Sequence, residues 1–144
     1  MIMKWMIASD IHGSAYYCKK LLSAYDRERA DRLLLLGDLL YHGPRNDLPE
    51  GYAPKEVLAL LNARKNDIYC VRGNCDAEVD QMVLDFPVLS DYCVIADGTT
   101  AIYATMVISS TSKIYRRCIP EIFCCMVIPT FPNAWYMRLR NTSV

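Results

Sequence analysis

Three short segments carry residue types that could do chemistry: Asp10-Ile11-His12-Gly13, Gly37-Asp38 and Arg72-Gly73-Asn74-Cys75-Asp76. Each directly follows an apolar run, so each falls where a strand of an open α/β sheet ends, the place where such sheets build sites. Carboxylate and amide oxygens with an imidazole are the donors of a hard or borderline divalent cation, and a neighbouring glycine lets backbone and ion approach closely. Taken singly, the segments have plainer readings. Asp10 could cap a turn, Asp38 could cap the next helix, Asn74 could occupy a left-handed turn, and His12 could be an ordinary loop histidine. Three such junctions in series make a metal centre the more specific reading, with Asp10, His12, Asp38 and Asn74 as candidate ligands.

The elements that must position these residues follow from the hydrophobic rhythm. Residues 2–8 are apolar apart from Lys4, residues 33–36 are four leucines, and residues 68–71 read Ile-Tyr-Cys-Val. Separated by helix-period stretches, such runs predict parallel strands in βα units. Ser14 is placed to cap a helix over about residues 15–29, with Tyr17, Leu21, Leu22 and Tyr25 at helical spacing. Pro54 suits a first helical turn, and Val57, Leu58, Leu60 and Leu61 form the apolar stripe behind it. Residues 92–96 and 101–105 flank Asp97-Gly98-Thr99, which predicts a hairpin.

With these motifs in order, the chain resembles the calcineurin-like metallophosphoesterases. The runs Leu36–Asn46, Leu48–Pro54 and Val71–Met82 narrow the resemblance to the YfcE-type bacterial phosphodiesterase subgroup. The likeness spans residues 1 to about 105 of one domain covering 1–144. It implies an α/β fold, a metallophosphoesterase-type β-sandwich flanked by helices, here incomplete at its C-terminus. It also implies two divalent metal ions, commonly Mn2+, with Asp10 and His12 on one side, Asp38 bridging and Asn74 opening the other side. The implied activity is hydrolysis of a small or activated phosphodiester by water activated between two cations. Cys75 stands where many relatives carry a histidine general acid, so leaving-group protonation must come from elsewhere. Arg45, in the loop after Asp38, could fork onto a phosphate oxygen or simply be solvated. The alternative function is a non-catalytic scaffold with the same fold.

Residues 106–144 are anomalous. They hold no Gly, Asp or His, and Glu121 is their single acid, whereas average usage would put about three glycines in such a stretch. The family's later Thr-His-Gly-His and Gly-His-Thr-His motifs are absent, and His12 and His42 are the two histidines of the chain. Codons for Thr105-Met106-Val107-Ile108, read one base earlier, force a glycine between two positions open to histidine. Codons for Cys125 to Pro132 behave likewise in the same frame. The expectation is therefore a frameshifted tail, with weakened metal binding and impaired turnover. The apolar stretch 119–128 is expected to favour aggregation.

Composition bounds the remaining classes. Sixteen basic and 16 acidic residues give a formal charge of zero, which lacks the footprint of a nucleic-acid binder. No apolar run reaches the length of a membrane span, and no secretory leader is evident. Seven cysteines without an export signal suit a reducing cytoplasm. A small phosphodiester is the expected partner, with no nucleic acid and no membrane, and a homo-oligomer is open.

Overall fold

Alternation along each of the first three strands decides the layering. A computed structural model of the chain describes residues 3–44, 46–97, 100–106, 123–125 and 135–138. Strands β1 (Lys4–Ala8), β2 (Arg32–Leu35) and β3 (Ile68–Cys70) are connected by helices α1 (Ala15–Glu28) and α2 (Pro54–Asn62). They pair in parallel in the order β3-β2-β1. Successive side chains of a strand point to opposite faces, so the leucine run divides itself. Leu33 and Leu35 join Met6, Ala8, Ile68 and Cys70 against the helices. Leu34 and Leu36 join Trp5, Ile7 and Val71 against a second sheet. This double burial explains why the strand reads as continuous leucine rather than as an alternating pattern.

The second sheet contains β4 (Cys93–Asp97) and β5 (Thr100–Ala104), paired antiparallel, with β6 (Phe123–Cys125) parallel to β5. Strand β7 (Trp135–Arg138) adds antiparallel to β1 at the edge of the first sheet. The architecture is thus two stacked sheets with helices on the outer face of the first. The expected hairpin is present between β4 and β5, although its turn residues Gly98 and Thr99 lie outside the described residues, as does most of the stretch 107–144. The two faces of the β4–β5 pair differ in burial. Ile95, Ile102 and Ala104 are buried against the first sheet, whereas Val94 and Tyr103 on the opposite face are exposed.

Helix boundaries follow the anticipated caps. Ser14 Oγ accepts from the Tyr17 amide at 3.1 Å, and Arg29 closes α1 in the left-handed conformation. Pro54 opens α2, with Val57 and Leu61 fully buried and Leu58 and Leu60 packed partly against the same core. A short helix α3 (Glu78–Gln81) follows the third strand. Among the described residues no helix is long and apolar enough to cross a membrane.

Candidate metal centre

Beyond the ends of β1 and β2 the two chains remain hydrogen-bonded after they leave the sheet. The amides of Asp10, His12 and Gly13 donate to the carbonyls of Gly37, Asp38 and Leu39 at 3.1, 2.8 and 2.9 Å. Keeping that ladder while turning the side chains inward requires left-handed backbone at Asp10 (φ 58°), His12 (φ 48°) and Asp38 (φ 56°). Such conformations cost free energy for non-glycine residues and persist where their surroundings over-determine them. The left-handed conformation considered for Asn74 is found instead at these three residues.

The third junction is tied to the second by a residue absent from the expected ligand set. Asp76 is buried, and its carboxylate accepts from the amides of Asp38 at 2.8 Å, Leu39 at 3.0 Å and Gly73 at 2.7 Å. In return the Cys75 amide donates to Asp38 Oδ1 at 2.7 Å. The loops meet so closely that Cβ atoms have no room: one at Gly37 would collide with the backbone of Gly73, and one at Gly73 with Asp38. A carboxylate two residues beyond Asn74 was visible in the sequence, but two of the three amides it accepts from, those of Asp38 and Leu39, lie 38 and 37 residues away.

Asp10, His12 and Asp38 converge. His12 Nε2 lies 3.3 Å from Asp10 Oδ1 and 3.7 Å from Asp38 Oδ2, while Nδ1 sits 2.7 Å from the Tyr41 carbonyl. That carbonyl can only accept, so Nδ1 carries a proton and Nε2 is the atom turned toward the carboxylates. Metal-binding imidazoles are held in this manner, one nitrogen on a backbone carbonyl and the other on the ion. Ser9 Oγ donates to Asp10 Oδ2. Ligand atoms of His12, Asp38 and Cys75 lie within 4.8 Å of one another, so the thiol joins a cluster to which the sequence had assigned only hard donors. Asn74 is exposed beside it, its amide donating to Cys75 Sγ at 3.2 Å. Arg45 lies outside the described residues.

Electrostatics show that the cavity favours positive charge. The hydrogen bond with Asp10 raises His12 to about 9, against the opposing effect of burial and with help from Tyr41 and Asp38. Burial pushes the Asp38 carboxyl above its ordinary value, the Cys75 amide opposes this, and the charges of Asp76 and Asp10 add to it. The Cys75 thiol is pushed up to about 11, first by burial and then by Asp38. A proton on Nε2 occupies the position of a cation between two carboxylates, so the donor set fits a divalent ion. The other cysteines with raised values, Cys18, Cys70 and Cys93, are shifted chiefly by burial. Such cysteines behave as small apolar side chains.

The family model described as calcineurin-like phosphoesterase matches residues 3–124. The chain is 50% identical over 91 residues to phosphodiesterase YfcE of Escherichia coli strain K12, covering 63% of this chain and 50% of that protein. It therefore spans about half the length of the curated relatives it matches. The structure of YfcE, a phosphoesterase from E. coli, superposes with a TM-score of 0.72 at 45% identity, over 73% of this chain and 58% of the other. An archaeal phosphodiesterase shares the fold at 14% identity and a TM-score of 0.56, over 86% and 82% of the two chains.

Proposed function

The chain belongs to the calcineurin-like phosphoesterase family, and from that membership we propose that it is a divalent-metal-dependent phosphodiesterase. Its substrate is a small or activated phosphodiester, its cations are a pair of Mn2+ ions, and it works in the cytoplasm. One observation carries the reading: His12 Nε2 faces Asp10 and Asp38 while Nδ1 is anchored on the Tyr41 carbonyl.

Asp10 and His12 would hold one cation, Asp38 would be shared between two, and Asn74 would begin the second site. Bound there, the cations would supply Lewis-acid polarisation of the phosphate and the acidity that makes water a nucleophile near neutral pH. The chain's own residues set the geometry. Tyr41 holds the imidazole in one tautomer, and the Cys75 amide fixes the Asp38 carboxylate from the far side. With its thiol pushed up to about 11, Cys75 stays protonated at neutral pH and is a weak acid toward a departing alkoxide. Leaving groups that depart as stable anions are therefore favoured. Arg45 is assigned to fork onto a phosphate oxygen.

Of the two histidines only His12 joins this cluster, so each cation keeps few protein ligands and turnover in this chain is impaired. Loss of even supporting residues around a metal lowers affinity or activity by about 10–100-fold. The test is hydrolysis of an activated aryl phosphodiester with Mn2+, with chelator, and with Asp38→Asn. A slow Mn2+-dependent rate that Asp38→Asn abolishes is expected. If Mn2+ changes neither the rate nor the melting temperature, the chain is a non-catalytic scaffold.

A further inference from the structure

Neither the expected hard-donor set nor the proposed hydrolysis gives the Cys75 thiol a ligand's task. Yet it is the group that completes a cluster with His12 and Asp38, the three ligand atoms lying within 4.8 Å of one another. Hydrogen bonds fix its place. The Cys75 amide donates to Asp38 Oδ1 at 2.7 Å, which ties the residue to one oxygen of the carboxylate and leaves Oδ2 facing His12 Nε2 at 3.7 Å. The thiol itself hydrogen-bonds the Asp38 side chain, so Sγ is turned toward the ligand oxygens. Sγ also accepts from the Asn74 side-chain amide at 3.2 Å, and supporting hydrogen bonds of this kind orient the ligands of metal centres.

The donors are spaced as in a small tetrahedral site. Zinc bonds of about 2.0–2.2 Å to nitrogen and oxygen and about 2.3 Å to sulfur put neighbouring donors about 3.3–3.6 Å apart. His12 Nε2 lies 3.3 Å from Asp10 Oδ1 and 3.7 Å from Asp38 Oδ2, so the imidazole and both carboxylates already stand near that spacing. The 4.8 Å span of the cluster leaves at most about 1 Å for the thiol to close. Donor type then selects the ion. Thiolate favours Zn2+ and other thiophilic cations, whereas Mn2+ suits carboxylate, carbonyl and water. Binding exchanges the thiol proton for the cation: the S–H bond breaks, the proton leaves to solvent, and sulfur donates the freed electron pair to the ion.

We infer that Cys75, His12 and Asp38, with Asp10 as the fourth donor, form a site for one thiophilic divalent cation, Zn2+ or its analogue Cd2+. That ion takes up the His12 nitrogen and the Asp38 oxygen on which the proposed Mn2+ pair depends, so the two occupancies exclude each other. The assignment goes beyond the proposed hydrolysis, because it stands on ligation through sulfur and not on turnover.

Zinc K-edge X-ray absorption of the full chain carrying one equivalent of Zn2+ tests it. One sulfur at about 2.3 Å, with nitrogen and oxygen at about 2.0–2.2 Å, is expected. No sulfur overturns the site, and so do two or more, since the ion has then gone to other cysteines of the chain. A second measurement uses Cys75→Ser, which keeps the backbone amide on Asp38. At one equivalent of Cd2+ the ultraviolet thiolate-to-metal band should vanish in this variant, and the ratio of Cd2+ to Mn2+ affinity should fall by about 100-fold or more. Loss of a ligand exceeds the about 10–100-fold cost of losing a supporting residue. A band that survives Cys75→Ser, or an unchanged ratio, overturns the assignment. If circular dichroism shows that the variant does not fold, the absorption spectrum of the unsubstituted chain decides alone. Mn2+-dependent hydrolysis, measured separately, reads the phosphoesterase proposal. A zinc–sulfur centre in a chain without such hydrolysis keeps this site and removes that reading, and hydrolysis by a chain whose zinc binds no sulfur does the reverse.

Discussion

Asp76 is the residue whose replacement should most directly separate the lacing of the loops from the ligands themselves. Its Oδ2 accepts from the amides of Asp38 and Gly73 and its Oδ1 from that of Leu39, all in a buried setting. In Asp76→Asn the amide oxygen can retain the two bonds at one position, now without charge, while the NH2 group meets the Leu39 amide donor to donor. Losing charge assistance costs about 1 kcal/mol for each retained bond, and one orphaned buried amide costs about 1–3 kcal/mol. Relief of repulsion with Asp38 offsets part of this, since Asp76 is among the charges that raise the Asp38 carboxyl. The expected net loss is about 3 kcal/mol. For a domain near this size that lowers the melting temperature by about 6–12 °C.

Asp76→Ala orphans all three amides and should cost about 5 kcal/mol, a large part of the usual margin of stability. Urea unfolding monitored by tryptophan fluorescence reads the loss, and a Mn2+ titration of the still-folded Asp76→Asn chain reads the site. Because Asp38 is held by the loop that Asp76 anchors, Mn2+ affinity should fall by about 10-fold or more. Unchanged unfolding midpoints in both variants would refute the bonding argument. Lower stability with unaltered Mn2+ affinity would refute the coupling to the site.

Gly73→Ala places a methyl against the Asp38 carboxylate and amide, and such overpacking should cost about 1–3 kcal/mol or more; thermal melting checks it. Free of metal, the chain should lose stability as pH rises. His12 is raised in the folded state to about 9 from its ordinary value of 6.5, so its contribution is complete below about pH 6.5 and disappears as pH passes through about 9. Melting temperatures measured across that window in chelator test this, and Mn2+ binding near neutral pH should release a proton, measurable by calorimetry in buffers of different ionisation enthalpy. If residues 106–144 are read in a shifted frame, restoring one base before codon 106 should raise Mn2+-dependent hydrolysis well above that of the present chain. Equal rates from the two chains would remove the frameshift proposal.

Much of the first sheet was legible because its signals are local. An apolar run, a turn with glycine and a helix-period stretch are written within a few residues of one another, and Ser14 and Pro54 mark the helix starts by their own side-chain chemistry. The same locality made Asp10, His12 and Asp38 recognisable as donors at consecutive strand ends. Arg45 was equally visible as a phosphate-binding type, and it stands outside the described residues.

What the sequence by itself determined is therefore the parallel βα rhythm and the donor residues at its junctions, since both depend on spacing within single segments. Only the tertiary structure decided that Asp76 accepts from amides on another loop, that Gly73 must lack a side chain because Asp38 occupies the space, and that Cys75 stands beside His12. The physical reason is that these relations join positions tens of residues apart. Hydrogen-bond partners and close contacts of that kind exist only once the loops have been brought together by burial of the sheet beneath them, and no periodicity along the chain records them.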